Sequence, residues 1–276
     1  MSNTSSPTQT HLSPPPIPAP LVLGRPCFGD AHLASIAAAQ GDAAAWHAAV
    51  SGRSSTDAAN AAALTTGAFA VGITDPQGRV FLAVDRFAVQ TLCWRLIDGR
   101  LHYAERADTL AALHPRVDID PQAIYDYLYF HVIPSPRTIF AGVHRLPPAH
   151  CLWFENGQVA LQPYWLPHFD EPRSADFTAL AADFRRHVLD AVAAQLDGNK
   201  PACFLSGGTD SSTVAGMIGQ AAGRAASTYS IGFEAKGYDE MEFARIAARR
   251  FGTDHHEYYV TPDDLVASIA QVATHY

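Results

Sequence analysis

The residues with the clearest chemical content lie in one stretch, Cys203-Phe204-Leu205-Ser206-Gly207-Gly208-Thr209-Asp210-Ser211-Ser212. A short apolar run breaks into Ser-Gly-Gly-Thr-Asp-Ser-Ser and resumes as Thr213-Val214-Ala215-Gly216-Met217-Ile218, the pattern of strand, tight loop and helix. Adjacent glycines let the backbone turn without a side-chain clash, so successive N–H groups converge on an anion at the positive end of the following helix. Such a loop cradles phosphate. No lysine follows the glycines, so this is not the GxxxxGK[ST] loop and its placement of a β/γ-phosphate does not carry over. Ser206, Ser211 and Ser212 offer hydroxyl donors, while Asp210 would repel phosphate unless a divalent cation such as Mg²⁺ lies between them. Ser206, Gly207, Gly208, Asp210, Ser211 and Ser212 are therefore candidates to hold a nucleotide with its metal. The alternative is an ordinary glycine-rich turn capped by Asp210 or a serine.

The elements around the loop must place it at the end of a sheet. Ser174 is expected to cap a helix carrying Phe177, Leu180, Phe184, Val188, Val192 and Leu196 as one apolar stripe that packs on something large, and Asp197-Gly198-Asn199 stops it. After the loop, a strand over residues 227–233, a helix from about Asp239 to Phe251, a strand near His256 to Val260 and a helix from Pro262 alternate at βαβ spacing. That spacing specifies a parallel sheet, with ligand bound at the carboxyl ends of its strands. His255 and His256, adjacent on a strand, face opposite ways and cannot easily grip one ion, so packing or substrate-lining roles are expected.

The chain before this reads differently. Residues 1–20 are rich in Ser, Thr and Pro and are expected to form a flexible tail. Two helices separated by Gly41-Asp42, with Leu33, Ile36, Ala37, Trp46 and Val50 available to a core, precede strands at 67–73 and 79–84 about Asp75-Pro76-Gln77-Gly78. A hairpin turns at Asp98-Gly99, a helix starts near Asp120-Pro121 with Ile124, Tyr127 and Leu128 on one face, and a second hairpin turns at Glu155-Asn156-Gly157. Glu105 and Asp108 read as capping charges. The Pro-rich, acidic run from Pro167 to Arg173 reads as a linker.

Bulk properties exclude several classes. With 276 residues, 48% hydrophobic and 17% charged, the chain has room for two buried cores. A net charge of -8 and a pI near 5.8 argue against nucleic acid as a partner. Cys27, Cys93, Cys151 and Cys203 lack metal-ligand spacing and read as reduced core residues. No apolar run approaches membrane-span length and no secretory signal is evident, so no membrane partner and a cytoplasmic location are expected.

The spelling SGGxDS resembles the loop of the N-type ATP pyrophosphatases, which cut ATP between its α and β phosphates. The order of landmarks resembles the asparagine synthetase family, glutamine-dependent enzymes with an N-terminal nucleophile amidohydrolase domain followed by an ATP pyrophosphatase (PP-loop) domain. The likeness rests on Gly67-Ala68-Phe69-Ala70, Asp85-Arg86-Phe87, Thr138-Ile139-Phe140 with Leu146-Pro147-Pro148-Ala149-His150, the loop itself, and Ser230-Ile231-Gly232-Phe233 with Asp254-His255-His256-Glu257. It implies a fold of two parts. An α+β amidohydrolase-like domain of antiparallel β with helices, degenerate, is expected over 21–166. After a linker at 167–173, a partial α/β parallel-sheet PP-loop domain, C-terminally incomplete, is expected over 174–276.

The resemblance also implies chemistry: ATP with Mg²⁺ activates a carboxylate, that of aspartate or a relative, as an acyl-adenylate, and ammonia or an amine displaces AMP. Leu205 and Ile231 would give backbone contacts to adenine, Ser206, Gly207, Gly208 and Ser211 would hold phosphate, and Asp210 would hold Mg²⁺. For Leu205 and Ile231 a plain core-strand role fits the sequence equally.

Two departures from the family pattern shape the expectation. Its glutaminase uses a cysteine at the mature N-terminus, whereas Met1 is followed here by Ser2 and Cys27 is internal, and no RHRGPD-like or NGEIYN-like segment is present. At the other end the last helix stops at His275-Tyr276, about three parallel strands are expected, and neither an SGExxDE-like segment nor a later catalytic lysine follows. The reading is a fragment, or one half of a split enzyme that a second polypeptide completes. Amide formation with ammonia competes with intramolecular, β-lactam-like or macrocycle-forming closure by an amine, and with a non-catalytic nucleotide-binding remnant. Purified protein given glutamine should release no glutamate above the uncatalysed rate; rapid turnover contradicts the degenerate glutaminase.

Overall fold

The computed structural model describes residues 18–171, 176–233 and 240–275, and the chain divides into two compact units between Phe169 and Asp170. Most of the expected tail (residues 1–17), the Ser174 cap and the helix start at Asp239 lie outside the described residues.

Unit 1 opens with β1 (Leu21–Gly24) and β2 (Cys27–Phe28), then α1 (Ala31–Gln40), α2 (Asp42–Val50) and α3 (Ser55–Leu64). Asp30 caps α1 by accepting from the His32 and Leu33 amides, and Ser54 with Asp57 forms a capping box on α3. There follow β3 (Thr65–Thr66), β4 (Phe69–Thr74), β5 (Val80–Val84), the hairpin β6 (Cys93–Ile97) and β7 (Arg100–Ala104), α4 (Ala107–Ala111), α5 (Pro121–Phe130), β8 (His144–Arg145), β9 (His150–Glu155) and β10 (Gln158–Pro163).

An antiparallel sheet of order β1-β4-β5-β9-β10 is the centre of the unit, with a second sheet of order β7-β6-β8. Period-two alternation divides the core between two layers. Phe69, Val71, Ile73, Phe81 and Trp153 face Leu33, Trp46, Val50 and Ala62 of the helices. Ala70, Leu82, Val84 and Leu152 face Leu92, Leu101 and Leu146 on the other side. Both faces of β4 and β5 are thus buried, which explains their unbroken apolar runs.

Asp85 ties the layers together. Its carboxylate, 2% exposed, accepts from the backbone N–H groups of Phe69, Phe87, Val89 and Gln90. Its carbonyl accepts from the amides of Ala88 and Ala149, both 3.0 Å away. These two alanines hold left-handed backbones, with φ of 49° and 58°. The sequence motifs Asp85-Arg86-Phe87 and Leu146-Pro147-Pro148-Ala149-His150 therefore meet in one hydrogen-bonded knot.

Unit 2 comprises α6 (Phe177–Ala193), β11 (Ala202–Phe204), α7 (Thr209–Ala222), β12 (Ser227–Phe233), α8 (Met241–Phe251), β13 (Asp254–Val260) and α9 (Pro262–His275). The strands form a parallel sheet of order β11-β12-β13. Leu205, Ala215, Met241, Ala244, Ala247 and Ala248 make a core between α7, α8 and one sheet face. The other face leaves Phe204, Tyr229, Ile231, Phe233 and Tyr258 exposed. No described helix is long and apolar enough to cross a membrane.

Two expectations are corrected. The stripe on α6 is only partly covered: Val188, Val192 and Leu196 are half-buried where α6 meets α7, whereas Phe177 is 83% and Phe184 66% exposed, and α6 has no fully buried residue. On α5, Ile124, Tyr127 and Leu128 share one face as expected, and that face is exposed, with Ala123 the buried residue. Cys27 is exposed, since β2 pairs only with the two-residue β3, while Cys93 and Cys151 are buried.

All four tryptophans, Trp46, Trp94, Trp153 and Trp165, lie in unit 1, so their fluorescence reports that unit alone. Asp85→Ala strands four amides and should lower the stability of unit 1 by about 3 kcal/mol or more, read as a lower urea midpoint in tryptophan emission. A midpoint unchanged from wild type contradicts the central place of Asp85.

Candidate functional site

The loop leaves β11 at Leu205, 1% exposed, and enters α7 at Thr209. Gly207 has φ +83°, and a Cβ there would collide with the backbone of Phe243 and Ala244 at the start of α8. Glycine is thus required twice, by conformation and by space. Gly208 caps α7 without a side chain, and the first intrahelical bond is Ser212 N–H to Gly208 O at 3.1 Å. The amides of Thr209, Asp210 and Ser211 consequently have no acceptor among the described residues, which is the arrangement that receives an anion at a helix start.

The loop serines close on each other. Ser206 Oγ and Ser211 Oγ are 3.0 Å apart, Ser211 Oγ accepts from the Ser206 amide at 3.2 Å, and Ser206 Oγ accepts from the Gly208 amide at 3.3 Å. Both hydroxyls border the free amides and can turn to donate to an anion. Asp210 is exposed in the first turn of α7, with no hydrogen bond to its carboxylate among the described residues. An unpartnered carboxylate beside unpartnered amides suits a cation shared with phosphate. No described cluster of three or more His, Cys, Asp or Glu could hold a metal by itself, so such an ion would depend on the phosphates for its remaining ligands. Ser212 lies one residue beyond and makes no side-chain bond among the described residues.

Leu205, Ser206, Ser230, Ile231, Phe233, Glu240, Met241 and Ala244 surround a cavity of about 200 Å³ beside the loop, at the carboxyl ends of β11 and β12. Leu205 is a core residue, and its backbone is engaged on both sides: its N–H donates to Tyr229 O at 2.9 Å and its carbonyl accepts from Ser230 Oγ at 2.5 Å. Ile231 is 55% exposed, which removes the plain core reading for it. A larger, mainly apolar cavity of about 800 Å³ lies between α6, β11 and α7, away from the polar loop.

The neighbouring charges are committed. Arg245 of α8 donates to both Glu257 oxygens at 2.7 and 2.6 Å, and this pairing holds the Glu257 carboxyl below its ordinary range. Lys200 bonds Asp254 at 2.6 Å and lowers its pKa. His255 Nδ1 meets Thr228 Oγ1 at 2.9 Å, whereas His256 stacks on Tyr229 with ring centroids 4.9 Å apart. The two histidines do face opposite ways.

In unit 1, Cys93 and Cys151 are buried and Cys27 is exposed. Burial pushes the pKa of Cys93 and Cys151 up, as it does for Cys203 in unit 2, and the nitrogen of Cys27 is a peptide amide without basicity. The converging amides of the loop are expected from the sequence, whereas a role for Ser230 is not. The available signal for Ser230 is a polar residue at a buried alternation position of its strand, a property shared with Thr228.

Comparison with known proteins agrees with this division. Residues 183–276 match the asparagine synthase family, and residues 56–165 match the glutamine amidotransferase domain. The chain is 25% identical over 219 residues to asparagine synthetase [glutamine-hydrolyzing] 1 of Bacillus subtilis, covering 78% of this chain and 34% of that protein. It is 28% identical over 194 residues to putative asparagine synthetase [glutamine-hydrolyzing] 2 of Methanocaldococcus jannaschii, covering 68% and 38%. Against the amidase chyE of Penicillium rubens it is 30% identical over 210 residues, covering 69% and 31%. Fold and matches define an amidotransferase-like region followed by a synthase region. The chain belongs to the asparagine synthetase family, and it spans about a third of the length of these relatives.

Gly207→Ala should destabilise unit 2 by about 2–4 kcal/mol, from left-handed strain plus overpacking. Gly219→Ala in α7, where a Cβ meets nothing within 4 Å, should instead stabilise by about 0.5–1 kcal/mol. Thermal melts followed at 222 nm distinguish them; equal effects of both would contradict the packing of the loop against α8.

Proposed function

We propose that this chain carries the nucleotide-binding part of an ATP-dependent amide ligase of the asparagine synthase type. The observation that supports it most is the group of three free amides at the start of α7, bordered by Ser206 and Ser211 and adjacent to the cavity at Ile231. In this reading the α7 amides, Gly207, Gly208 and the serine hydroxyls bind the phosphates, and Ile231 offers backbone groups to adenine. Leu205 places the loop, and its engaged carbonyl makes it the weaker base contact.

Cleavage between the α and β phosphates leaves pyrophosphate with more charge than it carried in ATP. Fixed N–H dipoles that already point at that position lower the barrier without reorganising. Asp210, together with the phosphates, would hold Mg²⁺, which would supply further charge neutralisation. The acceptor carboxylate, aspartate or a relative, becomes an acyl-adenylate, and nitrogen from ammonia or an amine completes the amide.

Unit 1 serves as a scaffold without its own glutaminase, a reading supported by the raised thiol pKa values and the internal Cys27. The exposed apolar sheet face of unit 2 supports a further polypeptide layer as part of the working enzyme. The acceptor amine could also belong to the substrate itself, which would make the reaction a ring closure. Amine-bearing acids and the aspartate–ammonia pair, compared for pyrophosphate release, separate the two.

Asp210→Asn should weaken MgATP binding at least tenfold and leave metal-free ATP little changed, as measured by calorimetry on the whole chain. Equal affinity of both proteins for MgATP contradicts the metal role of Asp210.

A further inference from the structure

The ladder between β11 and β12 stops one bond early. Ser227 N–H donates to Pro201 O at 3.0 Å and Leu205 N–H donates to Tyr229 O at 2.9 Å. Ser227 and Tyr229 therefore turn their backbone groups toward β11, and by the two-residue alternation so does Ile231. The next bond of an uninterrupted parallel ladder would run from Ile231 N–H to Leu205 O. It is not made: β11 pairs only as far as Phe204, opposite Tyr229. The Leu205 carbonyl instead accepts from Ser230 Oγ, a hydroxyl on a residue 5% exposed.

We infer that Ser230 is a positioning residue for the nucleotide base. Its hydroxyl occupies the acceptor that the Ile231 amide would otherwise use. The ladder ends there, and the N–H and C=O of Ile231 remain as a donor and acceptor side by side at the 200 Å³ cavity. Adenine presents the complement, a ring-nitrogen acceptor beside an amino donor. Guanine presents the reverse, a ring N–H beside a carbonyl, so the same edge disfavours it. The geometry also orders the site. The residue whose carbonyl is held, Leu205, directly precedes Ser206, so a single hydroxyl links the base edge to the phosphate loop. This inference rests on the nucleotide reading of the loop.

Alanine at position 230 releases the Leu205 carbonyl and lets Ile231 N–H close the ladder. Amide exchange resolved at Ile231 by NMR, on the full chain without ligand, should slow at least tenfold in Ser230→Ala. It should stay fast in wild type and in Ser230→Thr, which keeps the hydroxyl. MgATP affinity should fall at least tenfold in Ser230→Ala, with Mg-pyrophosphate affinity unchanged, and Ser230→Thr should restore it. A general loss of fold would instead speed exchange throughout unit 2 and weaken both ligands, which overturns the specific role. An Ile231 amide equally labile in Ser230→Ala, or MgATP affinity that the substitution leaves unchanged, also overturns it. Absence of MgATP binding by the wild-type chain overturns the nucleotide reading itself, and exchange at Ile231 distinguishes that failure from a failure of Ser230.

Discussion

The approach of the loop backbone to the first turn of α8 is the constraint on which unit 2 depends. At Gly207 the two backbones are too close for any side chain, and the same residue holds a positive φ. That contact sets where α7 can begin, so the three unpartnered amides point into the space beyond the ends of β11 and β12. It also brings Met241 and Ala244 of α8 against Leu205, closing the core beneath the loop. The packing of the loop and the direction of its free amides are therefore one feature. A loop that cannot shift away from α8 presents its amides without reorganisation, which is the condition for strong electrostatic stabilisation of a departing phosphate.

Unit 1 solves a different problem with similar means. Two separated motifs are drawn together by one buried residue, Asp85: its carboxylate holds four backbone amides, and two alanines accept left-handed backbones so that their amides reach its carbonyl. A strained alanine costs about 1 kcal/mol, small beside the penalty of leaving buried amides unpaired. The knot preserves an antiparallel scaffold in a region matching the glutamine amidotransferase domain, while its buried thiols are driven away from the thiolate form.

Much of this order is legible in the residues. Asp98-Gly99 and Glu155-Asn156-Gly157 mark hairpins that form, Asp120-Pro121 starts a helix, and Gly41 separates two. The run after Thr213 is the helix its spacing requires. The alanine-rich α3 and the short β1 were less visible, because small residues give little periodic contrast and four residues carry almost no pattern. The α6 stripe misled, since periodicity reveals which residues share a face and not whether anything covers it. At the site, Gly207, Asp210 and the serines could be read directly. Ser230 could not, because its effect lies in which of two donors captures a carbonyl, a competition that exists only once β11 and β12 are in register.

The central claim is that the free amides of α7 and the glycine loop receive nucleotide phosphate. Backbone ¹⁵N–¹H spectra of the whole chain titrated with MgATP test it most directly. The account predicts that the Gly207, Gly208, Thr209, Asp210 and Ser211 amides shift together, downfield as they gain a charged acceptor. Spectra in which these amides stay in place, or in which the shifts cluster around the larger cavity between α6, β11 and α7, would contradict it.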